Sequence, residues 1–91
     1  MPRILRPFFR FRSMFNITFI TGAVVNSLKD IFGEEWVFQD SSTSLIVGEQ
    51  IRVDFSSNGL IEYEFTVSFN SEDCDHGINL CCILSRLLDI Y

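Results

Sequence analysis

Residues 36–69, WVFQDSSTSLIVGEQIRVDFSSNGLIEYEFTVSF, decide the fold. Along most of this stretch apolar and polar side chains alternate, and Gly48 and Gly59 interrupt the alternation. A period of two is typical of β-strands that bury one face, and glycine is common in the turns between them. The stretch therefore predicts four antiparallel strands joined in a meander.

The turns predict which side chains share a face. A three-residue loop at 57–59 would pair Ser56 with Leu60, and a two-residue turn at 48–49 would set Ile46 opposite Ile51. A three-residue loop at 41–43 would complete the meander. The predicted inner face then carries Trp36, Phe38, Ile46, Ile51, Val53, Phe55, Ile61, Tyr63, Phe65 and Val67.

This register has two consequences for the outer face. It places Val37, Leu45 and Val47 there as an apolar cluster, which implies a cover by the N-terminal arm, a second copy or a partner protein. It also sets Asp54 opposite Glu62, with Arg52 and Glu64 beside them. We therefore expect an interaction surface on this face, and we consider a carboxylate pair suited to acid-base or cation chemistry as an alternative.

Helical patterns flank the meander. Residues 26–33 predict a short helix that ends at Gly33, and a C-terminal helix capped by Asn70 or Ser71 would carry an apolar stripe. The predicted fold is α+β, a two-layer sandwich of about five antiparallel strands in the order β-α-β-β-β-β-α, with the C-terminal helix packed on one face. Length predicts one domain over residues 1–91.

Residues 1–13 form a basic, aromatic arm before the acidic body at 14–91. The arm holds Arg3, Arg6, Arg10 and Arg12 and no acid, although the whole chain has a net charge of −5. Phe9, Phe11, Phe15, Ile17 and Phe19 occupy odd positions, interrupted at Ser13, so the arm keeps the alternation of a strand with the residues after it. We expect one long first strand with Arg10 and Arg12 over Asp54, Glu62 and Glu64. The alternatives are a mitochondrial presequence, a nucleic-acid-binding arm, or translation that starts at Met14.

Neither a catalytic set nor a cofactor motif is present in the sequence. Cys74, His76, Cys81 and Cys82 are zinc-ligand types, but their spacing lacks the paired knuckles of zinc sites, and we expect no metal and no cofactor. Three cysteines also fit a reducing compartment better than a disulfide framework. No apolar run reaches the length of a membrane span.

These features predict a small acidic protein-interaction module of the inhibitor, immunity or adaptor type, and not an enzyme. Its candidate interaction surface is Val37, Leu45, Val47, Arg10 and Arg12, and its partner is a protein or a second copy. Nucleic acid is disfavoured by the acidic body. We expect a cytoplasmic location, with the mitochondrial matrix as the alternative. The competing functions are a small metal-dependent or acid-base enzyme, and a mitochondrial or nucleic-acid-binding protein that uses the arm.

Overall fold

The computed structural model describes residues 3–89. Two 3-10 turns, Glu34–Trp36 and Ser71–Asp73, lead into a strand and a helix respectively. In chain order the elements are β1 (Ile4–Leu5), β2 (Phe8–Arg12), α1 (Ile17–Phe32), β3 (Val37–Ser41), β4 (Ser44–Val47), β5 (Ile51–Ser57), β6 (Glu62–Asn70) and α2 (Cys74–Leu87).

One antiparallel sheet has the order β1-β6-β5-β4-β3, and β2 continues the β1 edge by pairing with β6. Helix α1 packs on β3, β4 and β5, and α2 packs on β6. Both helices contribute to a single apolar core. The predicted α+β architecture, including the C-terminal helix on the sheet, is confirmed. No helix within residues 3–89 is long and apolar enough to cross a membrane.

The predicted register between β4 and β5 was wrong by one residue. Val47 pairs with Ile51 and Leu45 with Val53, because the loop is three residues long and includes Gln50. Glu49 adopts a positive φ of 42° in this loop. That conformation costs on the order of 1 kcal/mol, whereas burying one aliphatic side chain gains about 1.5–3 kcal/mol. Burial of Leu45 and Val47 therefore decides the register.

The hairpin between β5 and β6 keeps the predicted inward face but is longer than predicted. Phe55 pairs with Phe65 and Ser57 with Tyr63, so that residues 58–61 form the loop. The N–H of Asn58 donates to the carbonyl of Glu62 at 2.7 Å. The rings of Phe55, Tyr63 and Phe65 therefore stay in the core with Val67. Ile61, in contrast, lies outside the core.

The first strand ends at Arg12, and the chain from Ile17 to Phe32 is helix instead of strand and short helix. Asn16 caps α1, since its Oδ1 accepts from the N–H of Phe19 at 2.8 Å. The buried residues of α1 recur at helical spacing: Ile20, Thr21, Val24, Val25 and Leu28. Their contact with the sheet outweighs the modest helix propensity of β-branched residues.

Residues 4–5 and 8–12 of the arm are part of the sheet. Phe11 is only 6% exposed, and its ring lies against those of Phe55, Tyr63 and Phe65. Phe9 stacks on Phe65 with ring centroids 5.1 Å apart. Of the interpretations of residues 1–13, this arrangement matches the structural one, although the predicted strand beyond Arg12 does not form.

Candidate interaction surfaces

The predicted outer-face cluster is buried in the core. Val37, Leu45 and Val47 are 4%, 0% and 8% exposed, and their strands pack under α1. The reason is the one-residue shift of β4 described above, which moves every side chain of a strand to the opposite face. These three residues cannot form a docking surface in the folded protein.

Their neighbours face outward in their place. Phe38 pairs with Ile46 on the outer face, and Phe38 is exposed while Ile46 is half-buried. Next to them Arg52 Nη2 donates to Asp40 Oδ2 at 2.6 Å, and Arg52 Nε donates to Asp54 Oδ1 at 3.3 Å. The bond to Asp40 and the charge of Asp54 raise the pKa of Arg52. This part of the outer face is mainly polar, with one small apolar pair.

The predicted carboxylate pair does not form. Asp54 lies opposite Thr66, four residues along β6 from Glu62, which corresponds to about 13 Å of strand. Glu62 and Glu64 pair with the arm instead: Arg12 Nη2 lies 3.2 Å from Glu62 Oε1, and Arg10 Nε lies 3.7 Å from Glu64 Oε1. Arg10 and Arg12 were predicted over Asp54, Glu62 and Glu64, and they lie beside Glu64 and Glu62 respectively. For Asp54 the prediction was wrong, since its carboxylate pairs with Arg52 instead.

The cysteines do not assemble a site with the histidine. Cys81 is buried, Cys74 is half-buried, and Cys82 and His76 are exposed. Burial, followed by the neighbouring Cys82 thiol, raises the pKa of Cys81, so its thiolate is disfavoured. Between residues 3 and 89 no group of three or more His, Cys, Asp or Glu side chains is arranged to hold a metal ion.

A concentrated apolar surface lies at one end of the sandwich, where β2 leads into α1 and β5 turns into β6. Two segments meet there, because the N–H of Ser13 donates to the carbonyl of Ile61 at 3.0 Å. Met14 and Leu60 are 87% and 98% exposed. We call this surface the apolar end, and it consists of Met14, Phe15, Phe19, Leu60 and Ile61, all exposed.

The apolar end is held in place by the core beneath it. The rings of Phe15 and Phe19 stack with their centroids 4.6 Å apart. Phe15 lies just before α1, and Phe19 lies in its first turn. The hydroxyl of Tyr63, whose ring is buried, donates to the carbonyl of Phe15 at 2.8 Å. The Arg12–Glu62 pair borders the surface directly, since these residues flank Ser13 and Ile61. An apolar centre with a charged border results.

A cleft opens at the opposite end, between the end of α1, the start of α2 and the β4–β5 loop. Its volume is about 620 Å³. Its lining is mainly apolar with polar groups from the loop and from α2: Phe32, Trp36, Val47, Gly48, Glu49, Gln50, Ile51, Asp73, His76, Asn79 and Leu80.

Sequence reasoning missed the apolar end for an identifiable reason. Phe15 and Phe19 were assigned to a strand, and Ile61 to the inner face. The signal for a helix was present, since Asn16 precedes apolar residues at spacings of three and four. The signal for exposure was the position of Leu60 beside Gly59 at a hairpin tip.

Comparison with known proteins returns no family model, no curated protein and no solved structure that matches this chain.

Proposed function

We propose that this chain is a small acidic protein-interaction module that binds a partner protein through its apolar end. The carrying observation is that two segments distant in sequence converge to expose five large apolar side chains together. Apolar patches of this kind on small folded proteins are characteristic of interaction sites. An inhibitor, immunity factor or adaptor would act by covering a complementary surface.

The make-up of the apolar end supports a protein as the occupant. Protein interfaces are enriched in aromatic residues, methionine and arginine, and have an apolar centre with a polar rim. Here Phe15, Phe19 and Met14 supply the centre, and the Arg12–Glu62 pair supplies a rim. The stacked rings are already ordered, which lowers the entropy lost on binding.

Charge favours a basic partner. The net charge of −5 attracts basic proteins and repels both nucleic acid and anionic membranes. Arg10 and Arg12, the cations of the arm nearest the apolar end, are paired with carboxylates. The proposal includes no catalytic role and places the protein in the cytoplasm, with the mitochondrial matrix as the alternative.

The test is quantitative affinity capture from cells that make the protein, followed by binding measurements with the purified partner. Met14→Ser with Leu60→Ser changes the two most exposed side chains of the apolar end. It should weaken binding by about thirtyfold, which corresponds to a loss of about 2 kcal/mol. Phe38→Ser with Ile78→Ser removes two exposed apolar side chains elsewhere and is the matched control. It should bind like the wild type.

The proposal fails if the control pair weakens binding as much as the apolar-end pair, or if neither does. It also fails if the wild type binds no protein but co-sediments with phosphatidylserine vesicles, because the apolar end would then be a membrane contact. Circular dichroism of each variant shows that a loss of binding is not a loss of fold.

A further inference from the structure

The cleft at the other end of the sandwich has the features of a small-molecule site, and it is independent of the apolar end. The two lie at opposite ends, because the β4–β5 loop and the junction of β6 with α2 are at the end of the sheet away from residues 58–61. A volume of about 620 Å³ lies within the range of about 300–1,000 Å³ that is usual for ligand pockets.

Two aromatic rings and three aliphatic side chains line the cleft and determine which ligand shapes fit it. Phe32 comes from the last turn of α1 and Trp36 from the 3-10 turn that follows, while Val47, Ile51 and Leu80 belong to the sheet and α2. Trp36 stays exposed although the residue after it, Val37, is buried. A ligand with an apolar or aromatic group would cover the Trp36 ring and displace water from it.

The charges on the cleft are all of one sign. Glu49 and Asp73 line it from two sides. Neither lysine nor arginine is among the lining residues in the part of the chain that the structure describes. A cation between these carboxylates and the tryptophan face gains from both.

The loop that carries Glu49 is itself strained. Glu49 follows Gly48, and both have positive φ, 42° and 63°. A non-glycine residue in this region costs on the order of 1 kcal/mol, and such strain concentrates at binding sites. The conformation holds the Glu49 carboxylate on a short, defined loop at the mouth of the cleft.

We propose that the cleft binds a small organic cation that has an apolar or aromatic body. The body packs between Phe32, Trp36 and Leu80, and the cationic group lies toward Glu49 and Asp73. The acidic groups give selectivity for charge, and the aromatic pair gives most of the contact area.

Three probes that share a benzyl group separate the contributions: benzyltrimethylammonium chloride, benzyl alcohol and sodium phenylacetate, at matched ionic strength. Trp36 is the single tryptophan, so its fluorescence reports the cleft directly, and amide shifts in a nitrogen-proton correlation spectrum map the contact. We expect the cation to bind about tenfold more tightly than the alcohol, with shifts at residues 47–51 and 73–80. Phenylacetate should bind most weakly.

A second experiment removes the negative charges of the cleft. Glu49→Gln with Asp73→Asn should lower the affinity for the cation about fivefold and leave that for benzyl alcohol unchanged. Asp30→Asn with Glu34→Gln changes net charge equally at residues outside the cleft lining and should have no such effect. The proposal is overturned if the wild type binds the three probes equally, if the shifts map elsewhere, or if both charge variants lose affinity alike.

Discussion

Gly77 of α2 lies directly against the ring of Phe69 in β6, so close that a β-carbon on Gly77 would overlap three ring atoms. Both residues are buried, and the ring belongs to the core. Glycine is unfavourable within a helix in general, but here it permits α2 to approach the sheet.

Gly77→Ala should destabilise the protein by about 1–3 kcal/mol, because overpacking outweighs the gain of about 1 kcal/mol in helix propensity. Gly22→Ala in α1 is the matched control, since no atom outside its own stretch of the helix lies within 4 Å of its added carbon. It should stabilise by roughly 0.5–1 kcal/mol. Urea unfolding of both variants checks the opposite signs, and equal effects would refute the close approach.

Phe11→Ala should lower the free energy of unfolding by about 3–5 kcal/mol, the usual loss for a buried phenylalanine. Phe8→Ala, three residues earlier on the same strand and exposed, should change it by less than about 0.5 kcal/mol. The comparison tests whether the arm is structural. A Phe11→Ala protein as stable as the wild type would mean that the Phe11 side chain is not part of the core.

The β4 register predicts unequal effects at two adjacent residues. Leu45→Ala should cost about 2–5 kcal/mol, and Ile46→Ala about 1 kcal/mol, because Leu45 is fully buried and Ile46 is only half-buried on the outer face. Chemical denaturation of the two variants gives the values. The reverse order would restore the register in which Ile46 faces Ile51.

Cys81 should make stability fall in alkaline solution. Its pKa is raised in the folded state by burial, so the unfolded chain ionises first, near the ordinary value of roughly 8.5. The thiol's contribution is fully present below that pH and is lost as pH rises through the higher folded-state pKa. Unfolding of Cys81→Ala between pH 7 and 10 should show a smaller decline than the wild type. Parallel declines would show that Cys81 titrates alike in both states.

Much of the layout is predictable because it depends on local patterns. Alternation identifies β5 and β6, Gly33 ends α1, and the phase of Phe9 and Phe11 joins the arm to the sheet. The register of β4 could not be predicted from turn preferences. The free energy gained by burying Leu45 and Val47 exceeds the cost of the positive φ at Glu49. This gain comes from packing between elements, which local sequence patterns do not show.

The predicted interaction surface was wrong because it depended on the predicted register between β4 and β5. Once β4 shifts by one residue, Val37, Leu45 and Val47 leave the surface, and no property of those residues alone would reveal it. The apolar end depends on a contact between Ser13 and Ile61, which are 48 residues apart. Only a three-dimensional arrangement brings such segments together.

Hydrogen exchange of the protein with and without its captured partner tests the central claim most directly. The account predicts that the partner slows exchange of backbone amides at residues 13–19 and 58–62, with little change in β3 or at residues 47–51. Protection confined to β3 or to the cleft, with residues 13–19 and 58–62 exchanging as in the free protein, would contradict it.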